Sequence, residues 1–260
     1  MPASAVSDAP QVAIGRMPVY TTAELQTVLT KSMNWPSWLS GYGGTASFVA
    51  HNRDRDAFRA SSEQLIADLA PSFNRAGIGR DYLTGDATTD AGLRTSLLSA
   101  INSGQELVNW TGHSAPYNWG SMFSVPDVAA LTNVNRPAAV FEWGCQTAYY
   151  LEPYNRDISS SFLVDANASG PTGAAITVGS TGQDLIDQQA VLSGGSSETG
   201  PAGVRYFYGY LSQGKSIGEA LQLAKDDLLL EHPSNSYANP DYLDVVNSYE
   251  VFGDSSLTLP

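Results

Sequence analysis

The chain has 260 residues, of which 42% are hydrophobic, and this length and composition suit one large domain with a substantial core. Acidic residues outnumber basic ones by 26 to 13, and the net charge of -13 repels phosphate, so we expect no nucleic-acid partner. No apolar run approaches the roughly 20 residues that a bilayer-spanning helix needs, so we expect no membrane partner either.

Short apolar runs alternate with amphipathic stretches along the chain, and this pattern predicts βα units around a mostly parallel sheet. The candidate strands are short and rich in residues that favour β-structure, as buried parallel strands are. In chain order they are Val12–Gly15, Thr45–Ala50, Ile78–Leu83, Glu106–Trp110, Ala138–Trp143 and Ala174–Gly179, and Ser255–Leu259 is a candidate last strand.

The predicted helices carry their own start and stop signals. Thr21 and Glu24 have the spacing of a capping box, which marks the start of a first helix. Asp90–Asn102 places its leucines and isoleucine on one face, and Gly104 suits the position after its end. The remaining predicted helices are Ser61–Ala70, Val204–Gln213 and Ser216–Leu230.

The chain contains a single cysteine, Cys145, and three histidines, His51, His113 and His232. One cysteine excludes an intrachain disulfide and any multi-cysteine metal site, and the histidines lack the HExxH spacing of zinc peptidases. We therefore predict no metal among the catalytic groups, and any thiol chemistry has one candidate. The remaining two histidines are interpreted as surface or loop residues.

Three predicted strands end in turns of small or polar residues. One runs into Gly112 and His113, another into Gly144 and Cys145, and the third into Gly179-Ser180-Thr181. Catalytic groups of such sheets gather at the carboxyl ends of strands, and a thiolate beside an imidazole is the minimum equipment for acyl transfer. From these residues alone, a Cys–His dyad and a buried cysteine with an unrelated surface histidine both remain open.

Several segments resemble the gingipain-type cysteine peptidases, in order along almost the whole chain. VNWTGH at 108–113 is similar to the family's NYTGHG block, and NWG at 118–120 to the AWG that follows it. RPAAVFEWGC at 136–145 resembles the approach to the family's nucleophile, and the separation of 32 residues between His113 and Cys145 is close to the family's. GPTG with ST at 170–181 and YEVFGDSSLTL at 249–259 match later blocks, and IGRMP at 14–18 with Lys31 resembles an early one.

The resemblance implies a caspase-like three-layer α/β sandwich, with a mostly parallel central sheet and helices on both faces. It implies that residues 1–40 are the remnant of a preceding subdomain or a linking segment, and that residues 41–260 are the catalytic domain. In the implied mechanism, a cysteine endopeptidase uses Cys145 as nucleophile and His113 as its acid/base partner. The backbone N–H groups of Ser114 and Cys145 form the oxyanion hole.

The resemblance also assigns a primary specificity pocket. Its lining comes from the strand-end loop Gly179–Asp184, with Trp119 as a wall; the candidate residues are Gly179, Ser180, Thr181, Gln183, Asp184 and Asp56. We expect a protein or peptide substrate, no required cofactor, a monomer, and a secreted or cell-surface location in a bacterium. A structural calcium ion at the acidic cluster Asp54–Asp56 is the alternative to a simply solvated cluster.

Three residues depart from the family pattern: Ser114 keeps a second interpretation of the activity open, and the arginines at the other two positions mean that a preference for basic residues is not carried over from the family. Ser114 replaces the glycine that follows the family's histidine, Arg53 falls near the family's acidic helper, and Arg59 falls near the acid that selects arginine substrates. The alternative is therefore a catalytically impaired pseudo-enzyme that acts as a binding or scaffold module. A serine hydrolase is disfavoured, because the chain has no GxSxG elbow.

Overall fold

The computed structural model describes residues 12–42, 44–51, 58, 62, 90–152, 154–183, 206–231 and 246–259. In these ranges the strands are β1 Gly15–Arg16, β2 Ala46–Ala50, β3 Leu107–Thr111, β4 Asn118–Trp119, β5 Phe123–Ser124, β6 Ala138–Trp143, β7 Ala166–Asn167, β8 Gly170–Pro171, β9 Ala174–Ser180 and β10 Tyr249–Gly253. The helices are α1 Thr22–Leu39, α2 Asp90–Asn102, α3 Val125–Val128, α4 Ile158–Val164, α5 Tyr206–Ser212 and α6 Ile217–Glu231. None of these helices is long and apolar enough to cross a membrane.

Six strands form the central sheet in the order β1-β10-β9-β6-β3-β2. The strands β9, β6, β3 and β2 are mutually parallel, while β10 is antiparallel to β9 and parallel to β1. The strands β2, β3, β6 and β9 are buried along their whole length, as expected for strands that are covered on both faces.

Alternate residues of the central strands enter two separate cores, one on each face of the sheet. Phe141 and Trp143 of β6 pack with residues of α5 and α6, whereas Val140 of β6 packs with residues of α2 and α4. This alternation follows from the period of two of a β-strand. The predicted α/β sandwich with helices on both faces is confirmed.

The first helix is part of this same unit. The Lys31 ammonium group of α1 is buried and donates to the backbone oxygens of Phe162 (3.2 Å) and Leu163 (2.7 Å) in α4, and the Trp35 indole N–H donates to Thr258 O (2.9 Å). The strand β1 lies in the central sheet beside β10. On both sides of the predicted boundary at residue 40, the described residues thus contribute to the same sheet and the same core.

The last strand lies earlier than predicted. It is Tyr249–Gly253, whereas the segment Ser255–Leu259 contains a turn in which Asp254 accepts hydrogen bonds from Ser256 and Leu257. A short polar side chain that bonds to the backbone two residues ahead favours a turn over a strand. The predicted strand Ile78–Leu83, and the predicted helix Ser61–Ala70 apart from Ser62, lie outside the described residues.

Candidate active site

The strands β3 and β6 bring the predicted dyad to one edge of the sheet. They are neighbouring parallel strands, and their register pairs Thr111 with Trp143. His113 and Cys145 each lie two residues beyond this pair, so both follow the carboxyl ends of adjacent strands. The first hydrogen bond beyond the ladder runs from Gly112 N to Trp143 O (3.1 Å) and keeps the two turns side by side.

The two turns are packed directly against each other. The Ser114 hydroxyl donates to Cys145 O (2.8 Å), so the turn after the histidine is bonded to the turn of the cysteine. A Cβ atom at Gly144 would lie 2.2 Å from Ser114 Oγ and 2.5 Å from Gly112 O, so only glycine fits between the turns. The side chain of Ser114, which departs from the family's glycine, is thus occupied in joining the turns.

The segment after Cys145 is fixed to the end of β9. Gln146 has a positive φ of 56°, which is uncommon for a residue other than glycine. Its backbone N–H donates to Gly182 O (2.7 Å). Two residues further, the N–H of Ala148 donates to Ser180 O (2.9 Å). The cysteine turn therefore lies between the ends of β3 and β9, where a cleft at the sheet edge would have its floor.

The residues predicted to line the specificity pocket differ in exposure. Gly179 and Ser180 are fully buried, and a Cβ at Gly179 would lie 2.5 Å from Thr147 Oγ1, so both residues pack beneath the cysteine turn and do not present a surface to a substrate. Thr181 is half-buried and Gln183 is exposed. The predicted contributions of Asp184 and Asp56 lie outside the described residues.

Trp119, the predicted wall of the specificity pocket, is packed in the core of the described residues. Its side chain is fully buried and stacks on Trp110, with ring centroids 5.5 Å apart and planes 7° apart. Its indole N–H donates to Oε1 of the buried Glu142 (2.7 Å). A buried indole N–H usually finds such a partner, and Trp119 pairs with Phe123 where β4 meets β5.

On the opposite face of the sheet, a second buried polar network joins the same two strands. The Trp143 indole N–H donates to Asn109 Oδ1 (2.7 Å), the Tyr208 hydroxyl of α5 donates to the same oxygen, and Asn109 Nδ2 donates to Thr111 Oγ1 (3.1 Å). Burial raises the pKa of Tyr208 well above its ordinary value, so it stays a neutral donor. Asn109 and Trp143 thus hold the ends of β3 and β6 together from this face.

His51 contacts the candidate dyad, and the sequence interpretation missed this contact. It directly follows β2 and is only 4% exposed. Its backbone N–H donates to Thr111 O (2.9 Å). Its ring meets that of His113 edge to face, with centroids 5.6 Å apart, and Phe58 meets His113 in the same way at 5.2 Å. His51 thus lies in a loop, as the interpretation as a surface or loop residue allows, but it is buried and not at the surface. Its place after a predicted strand was the available signal; His232 lies outside the described residues.

Within the part of the chain that the structure describes, no three His, Cys, Asp or Glu side chains are grouped so as to hold a metal ion. The acidic cluster Asp54–Asp56, the predicted calcium site, lies outside the described residues. What the described residues place side by side are two interlocked turns, one that carries His113 and one that carries Cys145.

Known proteins resemble this chain in sequence and in fold. Gingipain R2 of Porphyromonas gingivalis is 28% identical over 188 residues, which are 66% of this chain and 24% of that protein. Gingipain R1 of the same species is 27% identical over 188 residues, or 18% of its length. The chain thus spans about a quarter or less of the curated relatives that it matches.

Solved structures agree on the fold. The crystal structure of the Arg-specific cysteine proteinase gingipain R superposes with a TM-score of 0.78 at 19% identity, covering 96% of this chain and 56% of that one. A complex of Porphyromonas gingivalis RgpB pro- and mature domains matches with a TM-score of 0.76 at 20% identity, covering 96% of this chain and 57% of that one. The model of peptidase family C25 matches residues 3–260. The chain therefore belongs to peptidase family C25, the family of the gingipains.

Proposed function

We propose that this chain is a cysteine endopeptidase in which Cys145 is the nucleophile and His113 its acid/base partner. The observation that carries the proposal is the register of β3 and β6, which pairs Thr111 with Trp143 and leaves the two residues equally far beyond the sheet edge. The membership of peptidase family C25 supports the same chemistry. Because the chain spans only part of its relatives, its activity is a proposal for this segment.

The mechanism is acyl transfer through a thioester. The imidazole of His113 accepts the proton of the Cys145 thiol, and the thiolate attacks the scissile carbonyl carbon. Backbone N–H groups of Ser114 and Cys145 donate to the resulting oxyanion. The imidazolium then protonates the leaving amine as the C–N bond breaks, and a water molecule, deprotonated by the same imidazole, hydrolyses the thioester and restores the thiol.

We further propose a preference for a basic residue before the cleaved bond. The net charge of -13 attracts cationic substrates, and a similar solved structure is described as Arg-specific. A pocket carboxylate, with Asp56 and Asp184 as the candidates, would pair with a guanidinium group. The composition and the bacterial source of the relatives also support a secreted or cell-surface protein.

Peptide cleavage tests the proposal. Reporter peptides with arginyl, lysyl, aspartyl or neutral residues before the bond are incubated with the wild type, Cys145→Ala and His113→Ala, and the thermal unfolding of each protein is measured as a control. We expect cleavage by the wild type only, fastest after arginine or lysine. Full activity in Cys145→Ala would exclude the dyad, equal rates on all four peptides would exclude the basic preference, and a folded wild type that cleaves none would favour the binding module.

A further inference from the structure

Glu142 is a buried carboxyl on β6, three residues before Cys145, and the proposed mechanism gives it no step. Its side chain is fully buried, and the register of the strands places it opposite Trp110 of β3. Oε1 accepts a hydrogen bond from the Trp119 indole N–H (2.7 Å), and Oε2 accepts one from the Ser159 hydroxyl of α4. Both oxygens of this carboxyl are therefore joined to other elements.

These partners reach the segments on both sides of the candidate dyad. Trp119 lies six residues after His113, and Trp110 lies three residues before His113. The rings of the two tryptophans stack, so they hold together the two ends of the segment that carries the histidine. Ser159 donates its N–H to Thr147 O (3.1 Å), and Thr147 lies two residues after Cys145. Glu142 thus connects the histidine segment with the cysteine segment across one face of the sheet.

The charge state of this carboxyl follows from its surroundings. Burial raises the pKa of Glu142 from 4.5 to about 8, and the hydrogen bonds from Ser159 and Trp119 only partly oppose this rise. Asp157 at the start of α4 adds to it, while Arg156 acts in the opposite sense on Asp157 itself. The uncharged rings of Trp110 on β3 and of Trp119 on β4 also face this carboxyl group. The group is therefore a neutral acid at pH 7 and loses its proton as the pH rises through about 8.

We propose that Glu142 is a positioning residue whose buried carboxyl group holds the His113 and Cys145 turns in register. The inference rests on the proposed function, since it concerns the alignment of that dyad. Oε1 of Glu142 accepts from the Trp119 indole N–H, and Oε2 accepts from the Ser159 hydroxyl. Loss of the proton leaves a negative charge in this buried site, and the two donors only partly offset the cost of its burial, so the junction between the two segments is destabilised as the pH rises.

The chain offers a matched control for the test. Glu106 is also a buried carboxyl, with its pKa raised to about 7 by burial, but it precedes β3 at the opposite edge of the sheet. Its position seven residues before His113 corresponds to about 20 Å along an extended strand. Replacing it perturbs a buried acid of the same sheet without touching the junction.

The experiment compares Glu142→Gln, Glu142→Ala, Glu106→Gln and Glu106→Ala with the wild type. The measurements are kcat and KM between pH 6 and 10, the rate of Cys145 alkylation by iodoacetamide over the same range, and thermal unfolding. Glutamine keeps an acceptor for Trp119 and an N–H for Ser159, and it cannot ionise. The alkylation rate needs no substrate, so it reports on Cys145 even if the protein cleaves no peptide.

We expect Glu142→Ala to lower kcat roughly 10- to 100-fold at pH 7 with little change in KM, because a shift of about 1 Å in a catalytic group has effects of that size. Glu142→Gln should keep kcat at pH 7 within about threefold of the wild-type value. In this variant, the part of the fall in kcat at alkaline pH that the ionisation of Glu142 causes should disappear. Alkylation should differ from the wild type in the same pH range, and the Glu106 variants should retain the wild-type profiles.

Two results would overturn the inference. One is a Glu142→Gln variant with the alkaline decline and alkylation profile of the wild type, and this variant remains informative even if Glu142→Ala does not fold. The other is a folded Glu142→Ala variant whose kcat matches that of Glu106→Ala. Cleavage that persists in Cys145→Ala would instead refute the proposed function, while the alkylation profiles would still decide the role of Glu142.

Discussion

Replacing Gly144 by alanine tests whether the contact between the two turns sets the geometry of the site. The new Cβ would lie 2.2 Å from Ser114 Oγ and 2.5 Å from Gly112 O. A carbon atom is comfortable at about 3.5 Å from its neighbours, so the Gly112 backbone must retreat by about 1 Å. Overpacking of this kind costs about 1–3 kcal/mol of the free energy of unfolding, and a displacement of about 1 Å in a catalytic group costs roughly 100-fold in rate.

The assay for Gly144→Ala is kcat/KM on the best reporter peptide together with thermal unfolding. We expect a loss of roughly 100-fold in kcat/KM and a melting temperature lower by about 2–10 °C. Removing the hydroxyl in Ser114→Ala/Gly144→Ala should restore only part of the activity, because Gly112 O remains in the way. Gly209→Ala is the control: a Cβ there meets nothing within 4 Å, and alanine in a helix is more stable by about 0.5–1 kcal/mol. A Gly144→Ala enzyme within twofold of the wild type would refute the reasoning.

Two further predictions concern stability. Burial lowers the pKa of Lys31 from 10.5 to about 7. Between pH 7 and pH 10.5 the unfolded chain therefore binds more protons than the folded chain, so the folded state becomes more stable as the pH rises. We expect the free energy of unfolding to increase by roughly 3 kcal/mol from pH 7 to 9.5. Urea unfolding of Lys31→Met should lack this gain, and an identical pH dependence in both proteins would contradict it. Thr21 accepts from Glu24 N (3.2 Å) while the Glu24 carboxylate accepts from Thr21 N, so Thr21→Ala should cost about 1 kcal/mol in the same assay. Thr21→Ser should be nearly neutral, and equal losses in both variants would show that the capping hydroxyl is not the cause.

The sequence carries the local signals of this fold well. The capping box at Thr21 and Glu24 is present, and the apolar runs at Ala138–Trp143 and Ala174–Gly179 are buried strands within one residue of their predicted bounds. These features depend on neighbours in the chain, which a pattern of residues records. The last strand was misplaced because Leu257 and Leu259 alternate with Thr258 as residues of a strand do, whereas the strand is Tyr249–Gly253 and a turn at Asp254 follows it.

The predicted site depended on contacts between distant segments, and there the sequence was a weaker guide. The order of β3 and β6 in the sheet makes neighbours of His113 and Cys145, and the predicted edge was correct. The burial of Trp119 and the edge contact of His51 with His113 depend on how loops fold back over strands, which periodicity does not encode. Glu142 gave no signal either, since a carboxylate inside an apolar run finds its partners, Trp119 and Ser159, only in the folded chain.

The central claim is that Cys145 is the nucleophile of a peptidase, and covalent trapping tests it most directly. The wild type and His113→Ala are incubated with an arginyl peptide that carries an acyloxymethyl ketone, and the modified residue is located by mass spectrometry. We predict one adduct per chain, on Cys145, formed by the native wild type and strongly slowed in His113→Ala and after denaturation. A native protein that remains unmodified, or one in which His113→Ala reacts as fast as the wild type, would contradict the account.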